Sequence, residues 1–232
     1  GKLGLPCALA IGDKGHDVYG YDINPDVKTI LDTKELPYRE EGALELLQNH
    51  NINYCSIEDV VKNSDIIFVP IQTPHDPHFE GITRLPEERV DFDYTYLKSG
   101  LKTLSKEIDK QGQEKIVIII STVLPGTIRR EIKPILSDLI KLCYNPFFIA
   151  MGTTINDFIN PEFVLFGVDD KDAYTAAKEF YKTIHDKPVY ECTIEEAEMI
   201  KVSYNTYITM KINLANVIME AAHKLDNVNC DN

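Results

Sequence analysis

Two unbroken apolar runs limit the folds open to this chain. Asp65-Ile-Ile-Phe-Val-Pro-Ile71 and Lys115-Ile-Val-Ile-Ile-Ile120 lack polar alternation, as expected of strands covered on both faces. Such strands need helices on either side, so their sheet is mainly parallel and the class is α/β. The flanking segments agree. Helical segments are expected over 5–11, 25–31, 41–48, 57–62, 92–108, 127–141 and 171–184, and strands over 17–21, 53–55, 142–144, 163–167 and 188–191. The polar stretch 72–91 is too long to be a mere connection. From Thr193 the pattern changes. Thr193 and Glu196 form a capping-box pair. Ile194, Ala197, Ile200, Lys201, Tyr204, Ile208, Ile212, Ala215, Ile218, Met219 and Ala222 then keep helical spacing to about Leu225. A helix of roughly 30 residues is about 45 Å long. That exceeds what covering this sheet requires, so the helix is expected to be shared with another domain or subunit.

Charge excludes some partners. Twenty-four basic against thirty-seven acidic residues give a net charge of −13. Nucleic acid and anionic membrane both need a basic face, so neither is expected as a partner. Cys7, Cys55, Cys143, Cys192 and Cys230 are odd in number, widely spaced and free of any C-x-x-C pair. They read as reduced thiols of a cytoplasmic protein. No run is long and apolar enough to span a bilayer, and the residue types give no metal-ligand spacing.

The N-terminal stretch adds chemistry to the fold. Gly1 and Gly4 are spaced like the second and third glycines of a dinucleotide fingerprint. An apolar helix follows, then a strand, then Asp22 at the end of that strand. A carboxylate there accepts hydrogen bonds from ribose hydroxyls and repels the extra phosphate of NADP, so the cofactor expected is NAD. The other reading is a helix simply ended by Gly12 or Gly15. The doubly wound reading is a Rossmann-like domain over 1–190. A further strand is expected before Gly1, lying between the Val18 and Ile66 strands in the usual order.

Several separated stretches resemble the UDP-glucose/GDP-mannose dehydrogenase family. They are Gly1 to Pro6 with Asp22, Gln72-Thr-Pro74, Ser121-Thr-Val-Leu-Pro-Gly-Thr127, Tyr144-Asn-Pro146, and Ala197-Glu-Met-Ile-Lys201 with Asn205. The resemblance implies two NAD-dependent oxidations of a nucleotide sugar at C6, and a homodimer built on the long helix, whose domain begins at about 191 and runs through 232. It also implies site residues. Gly1, Gly4, Asp22, Thr73, Ser121 and Thr122 would hold the cofactor. Thr122 would orient a water, and Lys201 with Asn205 would stabilise an oxyanion. Without the family, Thr73-Pro74 reads as a plain turn, Thr122 as a strand-end hydroxyl satisfying backbone, and the Lys201/Asn205 pair as a solvated helix face. Lys211 reads as structural.

The sequence also departs from the family pattern. The family's catalytic cysteine lies in a glycine-rich segment beyond the long helix, and none of the five cysteines here has that context. Two positions that are usually glutamate hold Phe147 and Met151, and the family's Asn-Glu on the helix is Asn216-Val217. Neither Phe147 nor Met151 can move a proton, so hydrolysis of a thioester is expected to be slow unless Asp157 or Glu162 substitutes. Two other readings stay open: a two-electron β-hydroxyacid-type dehydrogenase, and a non-catalytic NAD-binding or assembly protein.

Overall fold

The computed structural model describes residues 1–80, 84–226 and 228–229, so Cys230 and part of the 72–91 stretch lie outside the described residues. The elements in chain order are α1 (Gly4–Asp13), β1 (Tyr19–Gly20), α2 (Pro25–Thr33), α3 (Ala43–Asn49), β2 (Asn53–Tyr54), α4 (Ile57–Asn63), β3 (Ile66–Val69), α5 (Thr95–Gln111), β4 (Lys115–Ile119), β5 (Ile140–Tyr144), α6 (Thr154–Ile159), β6 (Val164–Val168), α7 (Lys171–Ile184), β7 (Val189–Cys192) and α8 (Ile194–Ala222). Among the described residues five strands form one sheet in the order β3-β4-β5-β6-β7, and β1 pairs only with β2. All pairs are parallel except β5 with β6. Ile66 sits opposite Ile116, and Lys115 opposite Ile140. Between β1 and β3, where the sequence reading reserves a place for a further strand, the two sheets share no ladder.

The doubly wound architecture follows from β4. Val117 and Ile119 enter a core with Leu97, Leu101 and Ile108 of α5 and Val61 of α4. Ile118 enters the opposite core with Ala10 of α1 and Ala173, Ala177 and Tyr181 of α7. A strand buried on both faces has no use for polar alternation.

Local signals set most of the boundaries. Asn24 caps α2 by accepting from the Asp26 N–H at 3.0 Å, and Pro25 takes the first turn, where no donor is needed. Asp170 accepts from the N–H groups of Asp172 and Ala173 to start α7. Gly112, at φ 66°, ends α5. The expected helix over 92–108 is displaced to Thr95–Gln111 because Asp93 accepts from the Thr95 N–H at 2.8 Å.

One expected element is wrong. Instead of a helix over 127–141 there is a π turn at Ile128–Ile132, a 3-10 turn at Lys133–Ile135, and then β5. Pro134 has no N–H, and its ring collides with the carbonyl four residues back, so a regular helix cannot pass it. The wide turn still buries Ile128 and Ile132. The short α6 is not anticipated by periodicity. It is organised by a distant acid: Glu40 accepts from the Gly152 and Thr154 N–H groups and the Thr154 hydroxyl.

Helix α8 begins as the sequence reading has it. The Thr193 hydroxyl accepts from the Glu196 N–H, and the Glu196 carboxylate accepts from the Thr193 N–H. Its first two turns lie on β6 at Gly167, where an added Cβ would stand 2.7 Å from the Ala197 Cβ and 2.9 Å from the Ile194 Cα. Ile194, Ala197, Glu198 and Lys201 are buried, and from Met199 onward most apolar side chains of α8 are exposed. Gly167→Ala is therefore expected to lower stability by about 1–3 kcal/mol through overpacking, read as a lower urea midpoint. An unchanged midpoint would mean that α8 is not seated through Gly167.

Candidate functional site

The candidate residues gather at the C-terminal edge of the parallel strands, where open α/β sheets bind ligands. Asp22 follows β1; its Oδ2 pairs at 3.1 Å with the terminal ammonium of Gly1, and its Oδ1 accepts from the Asn24 N–H. The glycine turn and the acid are thus in contact. Helix α1 has no side-chain cap and no acid in its first turn. The Leu5 and Cys7 N–H groups are taken by the Gly1 and Leu3 carbonyls and Pro6 has none, which leaves the N–H groups of Lys2, Leu3 and Gly4 to face an anion, with the positive end of the helix dipole behind them. Gly4 sits against the exit of β3: a Cβ there would stand 2.8 Å from Pro70 Cγ. This contact links α1 to the larger sheet, and only glycine permits it without a shift.

The next two loops touch each other. The Thr73 hydroxyl, just beyond β3, donates to the Thr122 carbonyl at 2.6 Å. The Ser121 hydroxyl donates to the carbonyls of Val69 and Ile71, so it is spent on the neighbouring strand's backbone. The strand-end role considered for Thr122 belongs to Ser121. Thr122 is only partly buried, and its hydroxyl makes no hydrogen bond among the described residues.

Lys201 reaches this edge from α8. It is buried, and its Nζ donates to the Phe147 carbonyl at 2.6 Å and lies 5.1 Å from the Phe148 ring centre. Among the described residues no carboxylate pairs with it. Burial pulls its pKa from the ordinary 10.5 down to about 8. Asn205, one turn on, is exposed. The structure brings together Gly1 with Asp22, Thr73 with Thr122, and Lys201 with Phe147, and leaves Asn205 at the surface.

Phe147 is directed into an aromatic cluster instead of a proton path. Its ring lies 5.6 Å from Phe158, whereas Met151 is 66% exposed. The Asp157 carboxylate accepts from the Ala150 N–H and the Thr153 hydroxyl. The adjoining cavity, lined by Asn145, Phe148, Phe163 and Tyr204 among others, is about 60 Å³. That is room for a few waters and not for a nucleotide. None of the described cysteines is poised as a nucleophile. Burial pushes Cys7 and Cys143 far up, raises Cys55, and brings Cys192 to about 11, so thiolate is scarce at neutral pH.

Sequence reasoning missed Glu198. It is fully buried, with Oε2 2.5 Å from the Gly126 N–H and Oε1 2.8 Å from the Ile128 N–H. Burial raises its pKa while those two bonds oppose the rise. The available signal was its position three residues before Lys201, on the same helical face. Tyr94 was missed too: its hydroxyl accepts from the Leu124 N–H and the Thr127 hydroxyl.

Residues 1–185 match the NAD binding domain of the UDP-glucose/GDP-mannose dehydrogenase family. The chain belongs to this family. Its cofactor is accordingly NAD, and the open α1 turn with Asp22 at the end of β1 suits a dinucleotide. Among relatives of the family, an uncharacterised protein of Methanocaldococcus jannaschii is 32% identical over 97% of this chain and 25% of its own length. UDP-glucose 6-dehydrogenase of Haloferax volcanii is 26% identical over 93% of this chain and 51% of its own. A ternary complex of GDP-mannose dehydrogenase from Pseudomonas aeruginosa superposes with a TM-score of 0.86 at 26% identity, covering 100% of this chain and 53% of that one. The chain thus spans a quarter to about half the length of these relatives. No helix among the described residues is long and apolar enough to cross a membrane.

The Lys201 amine gives a pH test. Between pH 8 and 10.5 the unfolded chain holds this proton and the folded chain has released it, so the group's contribution to stability rises with pH across that window. Lys201→Met is expected to stabilise the fold at pH 7 by about 1–2 kcal/mol. The advantage should shrink toward pH 10.5, as read from paired urea titrations. A constant difference at both pH values would mean that the amine is not desolvated.

Proposed function

We infer that the chain is the cofactor-binding part of an NAD-dependent nucleotide-sugar 6-dehydrogenase, acting on a UDP- or GDP-linked hexose. The observation that carries this reading is one sheet edge holding an open helix turn, an acid, two touching threonine loops and a buried unpaired lysine. Residues 1–190 form the NAD-binding domain, and 191–232 open the helical dimerisation domain. The four described cysteines are free thiols, which supports a cytoplasmic protein.

NAD, when bound, supplies the hydride acceptor. The chain's own residues do the rest. The N–H groups of Lys2, Leu3 and Gly4 would hold the pyrophosphate, and Asp22 would accept hydrogen bonds from the ribose hydroxyls. Thr73 fixes the Thr122 loop by its bond to the carbonyl, and Ser121 fixes the end of β4. The Thr122 hydroxyl, without a partner among the described residues, is available to orient a water or a reacting oxygen. Lys201, with a pKa of about 8, is still mostly protonated at pH 7 and can donate to an oxyanion in a site of low dielectric. Asn205 joins it only if substrate or a partner covers the exposed turn.

A second reading is the two-electron β-hydroxyacid-type dehydrogenase, favoured by the lack of a poised nucleophilic thiol among the described cysteines. The number of NADH formed per sugar separates the two. With UDP-glucose, GDP-mannose and UDP-N-acetylmannosamine offered in turn to the intact protein, two NADH per sugar support the four-electron reaction. One supports the two-electron reading. None, with NAD still bound, leaves a binding protein and overturns the enzyme reading.

Cofactor choice gives a further expectation. NAD should bind at least about tenfold tighter than NADP, the scale of one charge-assisted hydrogen bond weighed against one phosphate–carboxylate repulsion. Asp22→Ala should erase most of that gap in calorimetric titrations. Equal affinities in the unaltered chain would remove Asp22 from the site.

The exposed stripe on α8 supports a homodimer. Tyr207, Met210, Leu214 and Val217 recur at three- and four-residue intervals and are all largely exposed. A contiguous apolar face of this kind marks a contact surface. Light scattering at micromolar concentration should give a dimer, and Leu214→Glu a monomer. A monomeric unaltered chain would refute the interface.

A further inference from the structure

The loop after β4 is held by side chains from two distant elements. Of its backbone donors, the Leu124 N–H is taken by the Tyr94 hydroxyl at 3.1 Å, the Gly126 N–H by Glu198 Oε2 at 2.5 Å, and the Ile128 N–H by Glu198 Oε1 at 2.8 Å. The buried Thr127 hydroxyl also donates to Tyr94, at 3.2 Å. Tyr94 is tied in turn to Asp91 at the end of the long polar stretch. Glu198 lies one turn before Lys201 on the buried face of α8. Each carboxylate oxygen of Glu198 thus answers a different turn of the loop that begins with Ser121 and Thr122.

This arrangement does more than satisfy buried donors. Gly126, at φ 84°, completes a turn closed by the Thr127 N–H on the Leu124 carbonyl at 3.1 Å, so the turn holds its own shape. Where that turn sits against α8 and α5 is set by the two acceptors. One acceptor rides on α8, whose distance from the sheet is fixed at Gly167, and Lys201 rides on the same turns. The placement of Thr122 and that of Lys201 are therefore mechanically one thing.

We propose that Glu198 is a positioning residue for the cofactor site: its carboxylate, bridging the Gly126 and Ile128 N–H groups, sets the Thr122 loop in the geometry that receives NAD and locks it to the helix bearing Lys201. This deepens the reading above and rests on its placement of Thr122 beside NAD. Tyr94 does the same work from the opposite side. Gln at 198 keeps the size, but its NH2 stands where one carboxylate oxygen now meets an N–H group, so donor faces donor and one turn of the loop is released. Phe at 94 removes one acceptor and little volume.

The test is NAD affinity, measured by calorimetry on the 232-residue chain at a temperature where every variant is fully folded by circular dichroism. Glu198→Gln and Tyr94→Phe are each expected to weaken NAD about tenfold, and Thr122→Ala similarly, within the range of coupled neighbours. The deciding measurement is the double variant Glu198→Gln/Thr122→Ala. If Glu198 acts through Thr122, the pair should bind within about twofold of the weaker single variant. Full additivity, or lowered stability with affinity unchanged in both Glu198→Gln and Tyr94→Phe, would overturn the proposal. So would a weakened Glu198→Gln beside an unaffected Thr122→Ala. Failure to oxidise any nucleotide sugar would strike the activity proposed above and leave this binding result standing.

Discussion

The close approach of α8 to β6 governs what the candidate site can be. Gly167 has no side chain, so the first turns of α8 lie against the strand at a distance that any Cβ would forbid. Ile194 and Ala197 fill the core beneath. Glu198 and Lys201 are buried as a consequence, although neither would enter an apolar interior by preference. Each then finds its partners among backbone groups at the sheet edge: the carboxylate takes two N–H groups and the amine one carbonyl. An amine buried with only a carbonyl is weakly compensated, and its lowered pKa is the direct result.

The edge itself is a set of loops that satisfy one another. Thr73 bonds the Thr122 carbonyl, Ser121 bonds the exit of β3, and Tyr94 and Glu198 take the donors that follow. Asn145, fully buried at the end of β5, donates to the Leu165 carbonyl and accepts from the Tyr181 hydroxyl. Loops so bound need not reorganise when charge develops beside them, which is the condition for electrostatic stabilisation of a transition state. The Phe147, Phe158 and Phe148, Phe163, Tyr204 contacts make the β5 exit apolar. A buried amine in those surroundings is desolvated further than it would be beside an acid.

The smaller sheet is attached differently. Among the described residues β1 and β2 pair only with each other, and their link to the rest runs through helices. α1 meets β3 at the Gly4 and Pro70 contact and packs Ala10 and Ile11 into the same core as Ile118 of β4. Asp22 is therefore placed by how α1 and its following strand are carried, and not by a continuous ladder from the β4 side.

Much of this was legible in the sequence because it is written locally. Short uninterrupted apolar runs are expected of strands covered on both faces, and β3 and β4 are strands with helices on either side. Caps at Asn24 and Thr193 and the stop at Gly112 depend on a few adjacent atoms. The places of Gly4 at the head of α1 and of Asp22 after β1 were legible in their spacing. What the tertiary structure decided depends on residues far apart in the chain. Pro134 broke a helix that periodicity supported. Glu40 organised a helix more than a hundred positions away. Ser121, and not Thr122, took the strand-end bonds, because Val69 and Ile71 of the neighbouring strand present the carbonyls. Asn205 shares a face with Lys201 by spacing, yet the sheet ends beneath one and not the other, so burial separates them. Glu198 carried no mark beyond its spacing from Lys201. Its role exists only because Gly167 lets the helix come down far enough for a carboxylate to meet two turns of a loop seventy residues back.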